Sequence, residues 1–274
     1  MQFNKSGLFN RIIESGNYNE FIDFATYMHY TKGFSLFNSA LIFEQRKGVK
    51  IIENKENWGK KYRRYIKPEA IGIVIMKPFG PIDFLFDIED TYGDDIPGYE
   101  YPQLIKNDPA PINENLLFYL KNILNKLGIY YSEKPLGTIS YGQAQILDHP
   151  IKIGTRKNKN KEITDITTDY AIITNSNHTD INKSITILHE LGHILCGHLF
   201  SELKLITVPD RRKQSLSKQQ QECEAEKVCE FICRLLNIVY NSKAYLEGYL
   251  INGKEPQISL AYVIEAVDKF RKFI

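Results

Sequence analysis

The pentapeptide His189-Glu190-Leu191-Gly192-His193 constrains this chain more than any other stretch. At 3.6 residues per turn, histidines four apart lie on one helix face, so both imidazoles reach a single ion. Glu190 points in a neighbouring direction, where it can serve as general base towards a metal-activated water. A metal-dependent hydrolase is the leading expectation. The helix that carries the motif is expected from about Ile181 to Phe200, capped by Asp180, with Ile185, Leu188, Gly192, Leu195 and Leu199 as its inner stripe.

Catalytic zinc sites take three protein ligands and keep one position open, so a third ligand should follow. The extended pattern HExxHxxGxxH is disfavoured, because its glycine and third histidine positions hold Cys196 and Leu199. His198 falls one residue out of that register and is not expected to be a ligand. The better source is Glu222-Cys223-Glu224-Ala225-Glu226-Lys227-Val228-Cys229, which follows the capping box Ser217-Lys218-Gln219-Gln220 and should therefore be helical. Glu222 and Glu226 share a face, so one carboxylate can bind the metal while the other orients an imidazole through its free nitrogen. Glu224 lies on a different face, and Ala225, Val228, Cys229, Ile232, Leu235 and Leu236 form the apolar stripe.

The segment Ile185-Thr186-Ile187-Leu188-HELGH, followed by ECEAEKVCEFICRLLNI, resembles the ImmA/IrrE group of metallopeptidases. The second motif of that group reads roughly ExEAxxxA before an apolar helix. The resemblance implies zinc held by His189, His193 and Glu222, Glu190 as catalytic base, and Glu226 as the carboxylate behind a ligand. Cys229 stands where the family usually has alanine, a small-for-small change.

The 274 residues are 43% hydrophobic, enough for one or two packed domains. The opening MQFNKSGLFN lacks the apolar core of a signal peptide, and Ala70 to Met76 is too short to span a bilayer. The expectation is a cytoplasmic protein with no membrane partner. Cys196, Cys223, Cys229 and Cys233 form no CxxC pair and read as reduced packing residues.

Net charge is only +2, yet it is segregated. Arg46 to Lys67 is strongly basic with Trp58, Tyr62 and Tyr65 interleaved, whereas Asp83 to Glu100 carries seven acids and no Lys or Arg. Leu8, Ile12, Phe21, Phe24, Ala25, Met28, Leu36, Ala40 and Phe43 give helical signals. Ala70 to Met76 and Ile82 to Asp87, joined through Pro78-Phe79-Gly80-Pro81, read as a β-hairpin. Gly93 to Asn115, with four prolines, reads as a linker.

The order Phe34-Ser35-Leu36-Phe37-Asn38, Leu41-Ile42-Phe43-Glu44-Gln45, Trp58-Gly59-Lys60, hairpin and Phe86-Asp87-Ile88-Glu89-Asp90-Thr91 is similar to the N-terminal domain of ArdC-type antirestriction proteins. That resemblance covers roughly residues 30 to 97 and implies single-stranded DNA binding. The chain has Tyr62-Arg63-Arg64-Tyr65-Ile66-Lys67-Pro68 in place of the usual glycine-rich basic turn. Trp58, Lys60, Lys61, Tyr62, Arg63 and Arg64 are the expected nucleic-acid contacts, cations for phosphates and rings for stacked bases.

In the back half, Leu116, Leu117, Leu120, Ile123, Leu124 and Leu127 repeat at helical spacing before Gly128. Strands are expected near Ile151 to Gly154 and Tyr170 to Thr174, and a closing amphipathic helix over Gln257 to Phe273. The expected architecture is α+β in two domains. Residues 1–105 form a small α+β domain with a hairpin, plus linker, and residues 106–274 a zincin-like metallopeptidase domain with a short sheet on helices. An extended substrate could pair with the strand Asp169 to Thr174, and His178, His149 and Tyr245 are the candidates for stabilising an oxyanion. The expected function is zinc-dependent cleavage of a specific intracellular protein, a repressor or other DNA-associated protein. The rival is an antirestriction-type or regulatory DNA-binding protein whose metal site is structural or sensory.

Overall fold

The computed structural model describes residues 24, 27, 31, 33–49, 51–77, 80–96, 116–137, 140–157, 163–201, 206–236, 238–251 and 253–273. The helical signals at Leu8, Ile12, Phe21, Ala25 and Met28, and the proline-rich residues 97–115, lie outside this set. The chain is mixed α+β and divides into two compact units, Met1–Asp108 and Pro109–Ile274. Among the described residues no helix is long and apolar enough to cross a membrane.

In the first unit, Ser35 caps helix α1 (Leu36–Gln45) by accepting from the Asn38 amide. Strand β1 (Ile52–Asn54) leads into α2 (Lys55–Tyr62), which Asn54 caps in the same way through Asn57. A short ribbon pairs β2 (Arg64–Ile66) with β5 (Thr91–Gly93). The expected hairpin is present as β3 (Ile73–Ile75) and β4 (Asp83–Asp87), with Val74 opposite Phe84, and β1 adds to the other side of β4. Trp58 is fully buried, and its indole N–H donates to the Phe86 carbonyl at 2.8 Å.

The second unit begins with α3 (Leu116–Leu127), whose six periodic apolar residues are all buried. Its sheet has the order β6 (Tyr130–Lys134), β8 (Ile163–Asn175), β7 (Gly142–Lys157), with β6 parallel and β7 antiparallel to β8. Thr168 to Asn175 is buried throughout, because the strand is paired on both sides and covered on both faces. This corrects the expectation that Asp169 to Thr174 receives a peptide: it lies in the middle strand, and the sheet's edges are β6 and β7.

Helix α4 (Asp180–Leu195) carries the HExxH motif. Thr179, not Asp180, is its cap, accepting from the Asn182 amide. The helix stops five residues before the expected Phe200. Gly197, at φ 75°, donates to the Ile194 carbonyl at 3.0 Å, and the His198 amide donates to the His193 carbonyl at 3.0 Å. These two bonds form a Schellman motif, which ends the helix and folds His198 back over its last turn. A β-carbon at Gly197 would also meet the Pro209 carbonyl oxygen at 2.2 Å.

Helix α5 (Lys218–Leu235) is opened by the expected capping box between Ser217 and Gln220. It lies so close to α4 that a β-carbon at Gly192 would sit 2.7 Å from the Ala225 oxygen and 2.8 Å from its Cα. The glycine of the pentapeptide is thus what lets the two helices meet. A one-turn helix α6 (Lys243–Leu246) follows, and α7 (Leu260–Arg271) closes the core with Val263, Ala266, Val267 and Phe270 buried.

Candidate metal centre

On α4 the rings of His189 and His193 converge, their Nε2 atoms 3.2 Å apart. Glu222, from the first turns of α5, brings Oε2 to 3.3 Å from His189 Nε2 and 3.7 Å from His193 Nε2. A tetrahedral ion with bonds of about 2.0–2.1 Å separates its ligand atoms by about 3.3–3.4 Å. The three atoms thus already stand near the corners such an ion needs. The donor set, two imidazoles and one carboxylate on packed helices, fits a catalytic zinc site.

Each imidazole is oriented from behind. Glu226, fully buried, holds Oε2 at 2.9 Å from His189 Nδ1 and accepts from the Tyr240 hydroxyl through Oε1 at 2.6 Å. His189 Nδ1 therefore carries a proton, and Nε2 is the nitrogen that faces the site. His193 is served by a longer chain. Its Nδ1 lies 2.9 Å from His198 Nδ1, and His198 Nε2 lies 2.8 Å from Glu224 Oε2. Arg211 grips both oxygens of Glu224, with Nη1 at 2.5 Å and Nη2 at 3.1 Å.

Tautomers follow from the charged end of this chain. Glu224 resists burial, yet His198 and Arg211 outweigh it and hold the carboxyl below its usual range, leaving an acceptor. Burial in turn lowers the pKa of His198, so the ring is neutral and donates Nε2–H to Glu224. Its Nδ1 must then accept from His193 Nδ1–H, leaving His193 Nε2 with its lone pair towards Glu222.

Cys196, His198 and Glu224 also cluster within ligand distance of one another. The Arg211 guanidinium already neutralises Glu224, and burial pushes the Cys196 thiol far up, so a cation there would face a positive charge and a protonated thiol. The cluster reads as support for His193.

Burial opposes a charge on His189, but Glu222 and Glu226 raise its pKa to about 9. Burial likewise opposes ionisation of Glu222, and the two histidines overcome it and draw its pKa well down. The carboxylates thus pull positive charge into the site. Protons supply that charge when no cation does, and an ion would displace them.

Glu190 Oε2 accepts from the Ala144 amide of β7 at 2.6 Å. Ala144 pairs with Ile172 in the register, and three residues earlier the Tyr141 carbonyl accepts from the Asn175 amide of β8. Backbone groups of an antiparallel strand alternate, so those of Gly142, Ala144 and Ile146 face the free edge. Gly142 to Ala144 line a cavity of about 1090 Å³ together with His189, Glu190 and Glu222. Of the three oxyanion candidates, Tyr245 alone lines this cavity, its hydroxyl 2.9 Å from Glu222 Oε2. His149 is exposed on β7, and His178 packs its ring against Tyr141 at 4.6 Å.

His189, Glu190, His193, Glu222 and Glu226 therefore lie together in the structure. Glu224, His198, Arg211 and Tyr240 were not foreseen. The glycine after the motif signals the chain reversal that returns His198, but nothing local marks Arg211 or Tyr240. Glu226→Gln is expected to weaken metal binding by about 10–100-fold while leaving the thermal midpoint close to wild type. Competition against a chelating dye measures it, and unchanged affinity would remove Glu226 from this role.

The expected nucleic-acid contacts fare differently. Trp58 is corrected to a core residue: it is fully buried and presents no face for a base. Tyr62 packs on it with ring centroids 5.1 Å apart. Lys60 pairs with Glu56, Lys61 with Glu53 at 2.7 Å, and Arg64 spends its guanidinium on Thr91, Gly93 and Asp94. Arg63 is exposed in a left-handed conformation at the end of α2.

No protein-family model, curated protein or solved structure matches this chain.

Proposed function

We propose that the second unit is a zinc-dependent endopeptidase with a zincin-like site, similar to the ImmA/IrrE metallopeptidases, acting on an extended segment of a specific intracellular protein. The observation that carries this reading is the triangle of His189, His193 and Glu222 donor atoms beside a carboxylate, Glu190, held at a strand edge. The ion, when bound, supplies a Lewis acid that acidifies water and polarises a carbonyl.

Glu190 is fixed through one oxygen by the Ala144 amide, which leaves the other to take a proton from the attacking water. The same carboxyl can then deliver that proton to the departing amine. The outward backbone groups of Gly142 and Ile146 and the Ala144 carbonyl offer an extended peptide a partner along β7, which brings a scissile bond past Glu190. Glu226 and the His198–Glu224–Arg211 chain keep both imidazole rings in the required tautomer and orientation.

Glu190→Gln tests the reading. The variant is expected to keep its metal and lose peptide cleavage by about 10²–10⁴-fold, the usual contribution of a positioned base. Zinc-loaded wild type and variant would be compared on a proteome-derived peptide library, with new N-termini identified by mass spectrometry. Zinc-dependent cleavage of equal extent by both proteins would sink the assignment of Glu190. Absence of zinc-dependent cleavage by wild type would favour a structural or sensory ion.

A further inference from the structure

Helix α4 buries Ile187, Leu188, Leu191, Ile194 and Leu195 in the core. Ile181 and Ile185 stay partly exposed, and both line the cavity of the metal centre. Lying eight and four residues before His189, they continue its side of the helix, with Ile185 about 6 Å and Ile181 about 12 Å back along the axis. A third aliphatic side chain lines the same cavity, that of Val239, which is 71% exposed. Its backbone is held on both sides: the Ile238 amide donates to the Cys233 carbonyl at 2.8 Å, and the Tyr240 hydroxyl donates to Glu226 at 2.6 Å. Apolar area kept in water on so fixed a frame is area that a ligand gains by covering.

The cavity is polarised along α4. Helix α5 runs antiparallel to it, since Ala225 meets Gly192, Glu226 meets His189, and Cys229 Sγ lies 3.8 Å from the Ile185 carbonyl oxygen. Val239, which follows α5, therefore belongs to the Ile185 end. Lys218, one turn before Glu222, belongs to the His193 end, and among the described lining residues it is the only lysine, arginine or carboxylate outside the metal centre. Strand β7 passes in the same sense as α4: a β-carbon at Gly142 would meet Thr186 at 2.5 Å, and two residues on the Ala144 amide bonds Glu190. A peptide added antiparallel to β7, the commoner and slightly more stable pairing, passes Glu190 and then runs towards Thr186 and Ile185. The residue after its scissile bond thus faces the aliphatic end.

We propose that Ile181, Ile185 and Val239 form the subsite for the residue that follows the cleaved bond, and that this residue carries a large apolar side chain, as in leucine, methionine or phenylalanine. This inference rests on the peptidase reading given above and names the substrate class of that site. An acidic side chain in the same place would shed water without meeting a cationic side chain, because Lys218 stands at the opposite end.

Peptide hydroxamates test the subsite without turnover, because the chelating group takes the metal and the neighbouring side chain reports its own surroundings. Zinc-loaded wild type, Val239→Asp and Ile185→Ser would be titrated with two series, in which a hydrogen, isobutyl, benzyl or carboxymethyl side chain either follows or precedes the chelating group. In the following series, wild type is expected to bind the isobutyl and benzyl compounds about 10–100-fold more tightly than the hydrogen compound. Both variants should lose most of that gain and bind the hydrogen compound like wild type. Zinc-dependent binding with no side-chain preference, a preference confined to the preceding series, or a preference kept by both variants would overturn the subsite and leave the metal centre standing. Absence of zinc-dependent hydroxamate binding by wild type would overturn the metal-centre reading and the subsite with it.

Discussion

His189→Ala and Glu222→Ala proteins are each expected to carry almost no zinc where wild type carries close to one equivalent. The three donor atoms form a compact triangle with edges of 3.2, 3.3 and 3.7 Å. Two ligands rarely hold zinc against solvent, whereas three leave a stable site with one exchangeable position. Removing Glu222 also removes the carboxylate that offsets the ion's charge. Removing His189 breaks the link to Glu226 and leaves that fully buried carboxylate with only Tyr240 among the contacts described at this site. Plasma mass spectrometry of the purified proteins measures the outcome. A wild type that stays metal-free after zinc is offered would end the hydrolase reading, as would variants that retain a full equivalent.

Arg211→Met is expected to destabilise the second unit by about 3–5 kcal/mol, the typical cost of removing one partner of a buried ion pair. In a unit of this size that lowers the thermal midpoint by roughly 6–20 °C, at about 2–4 °C per kcal/mol. Arg211 and Glu224 side chains are 2% and 0% exposed, so water cannot replace the lost guanidinium. The Cys196 carbonyl also loses its donor, and the Tyr262 ring loses the cation stacked on it at 4.0 Å. Replacing Glu224 by Gln in the same protein removes the orphaned charge while keeping an acceptor for His198, and should recover much of the loss. A midpoint shift below about 2 °C for Arg211→Met would contradict the buried pair, by the same conversion.

Much of the site was legible because its spacing is local. The histidines lie four positions apart, as do Glu222 and Glu226, and a helix converts each spacing into a shared face whatever else the chain does. The capping box at Ser217 and the apolar period of Leu116 to Leu127 were legible for the same reason. The end of α4 was misread because its apolar period continues to Leu199, whereas termination depends on one glycine that can adopt a positive φ. Trp58 was misread because a tryptophan among lysines has the composition of a nucleic-acid surface, and only the chain's own folding turns the indole to the Phe86 carbonyl.

The sequence by itself determined that His189 shares a face with His193 and Glu222 with Glu226, because residues one turn apart need nothing more than a helix. Tertiary structure alone decided that Glu222 reaches the two histidines, that β7 lies at a sheet edge while β8 is the middle strand, that Arg211 anchors the chain behind His193, and that the Tyr245 hydroxyl reaches Glu222. Those contacts join residues 13 to 46 positions apart, from Arg211 and Glu224 to Ala144 and Glu190. No local periodicity records such separations, and they are fixed only when packing at Gly192 and the strand order bring distant backbone together.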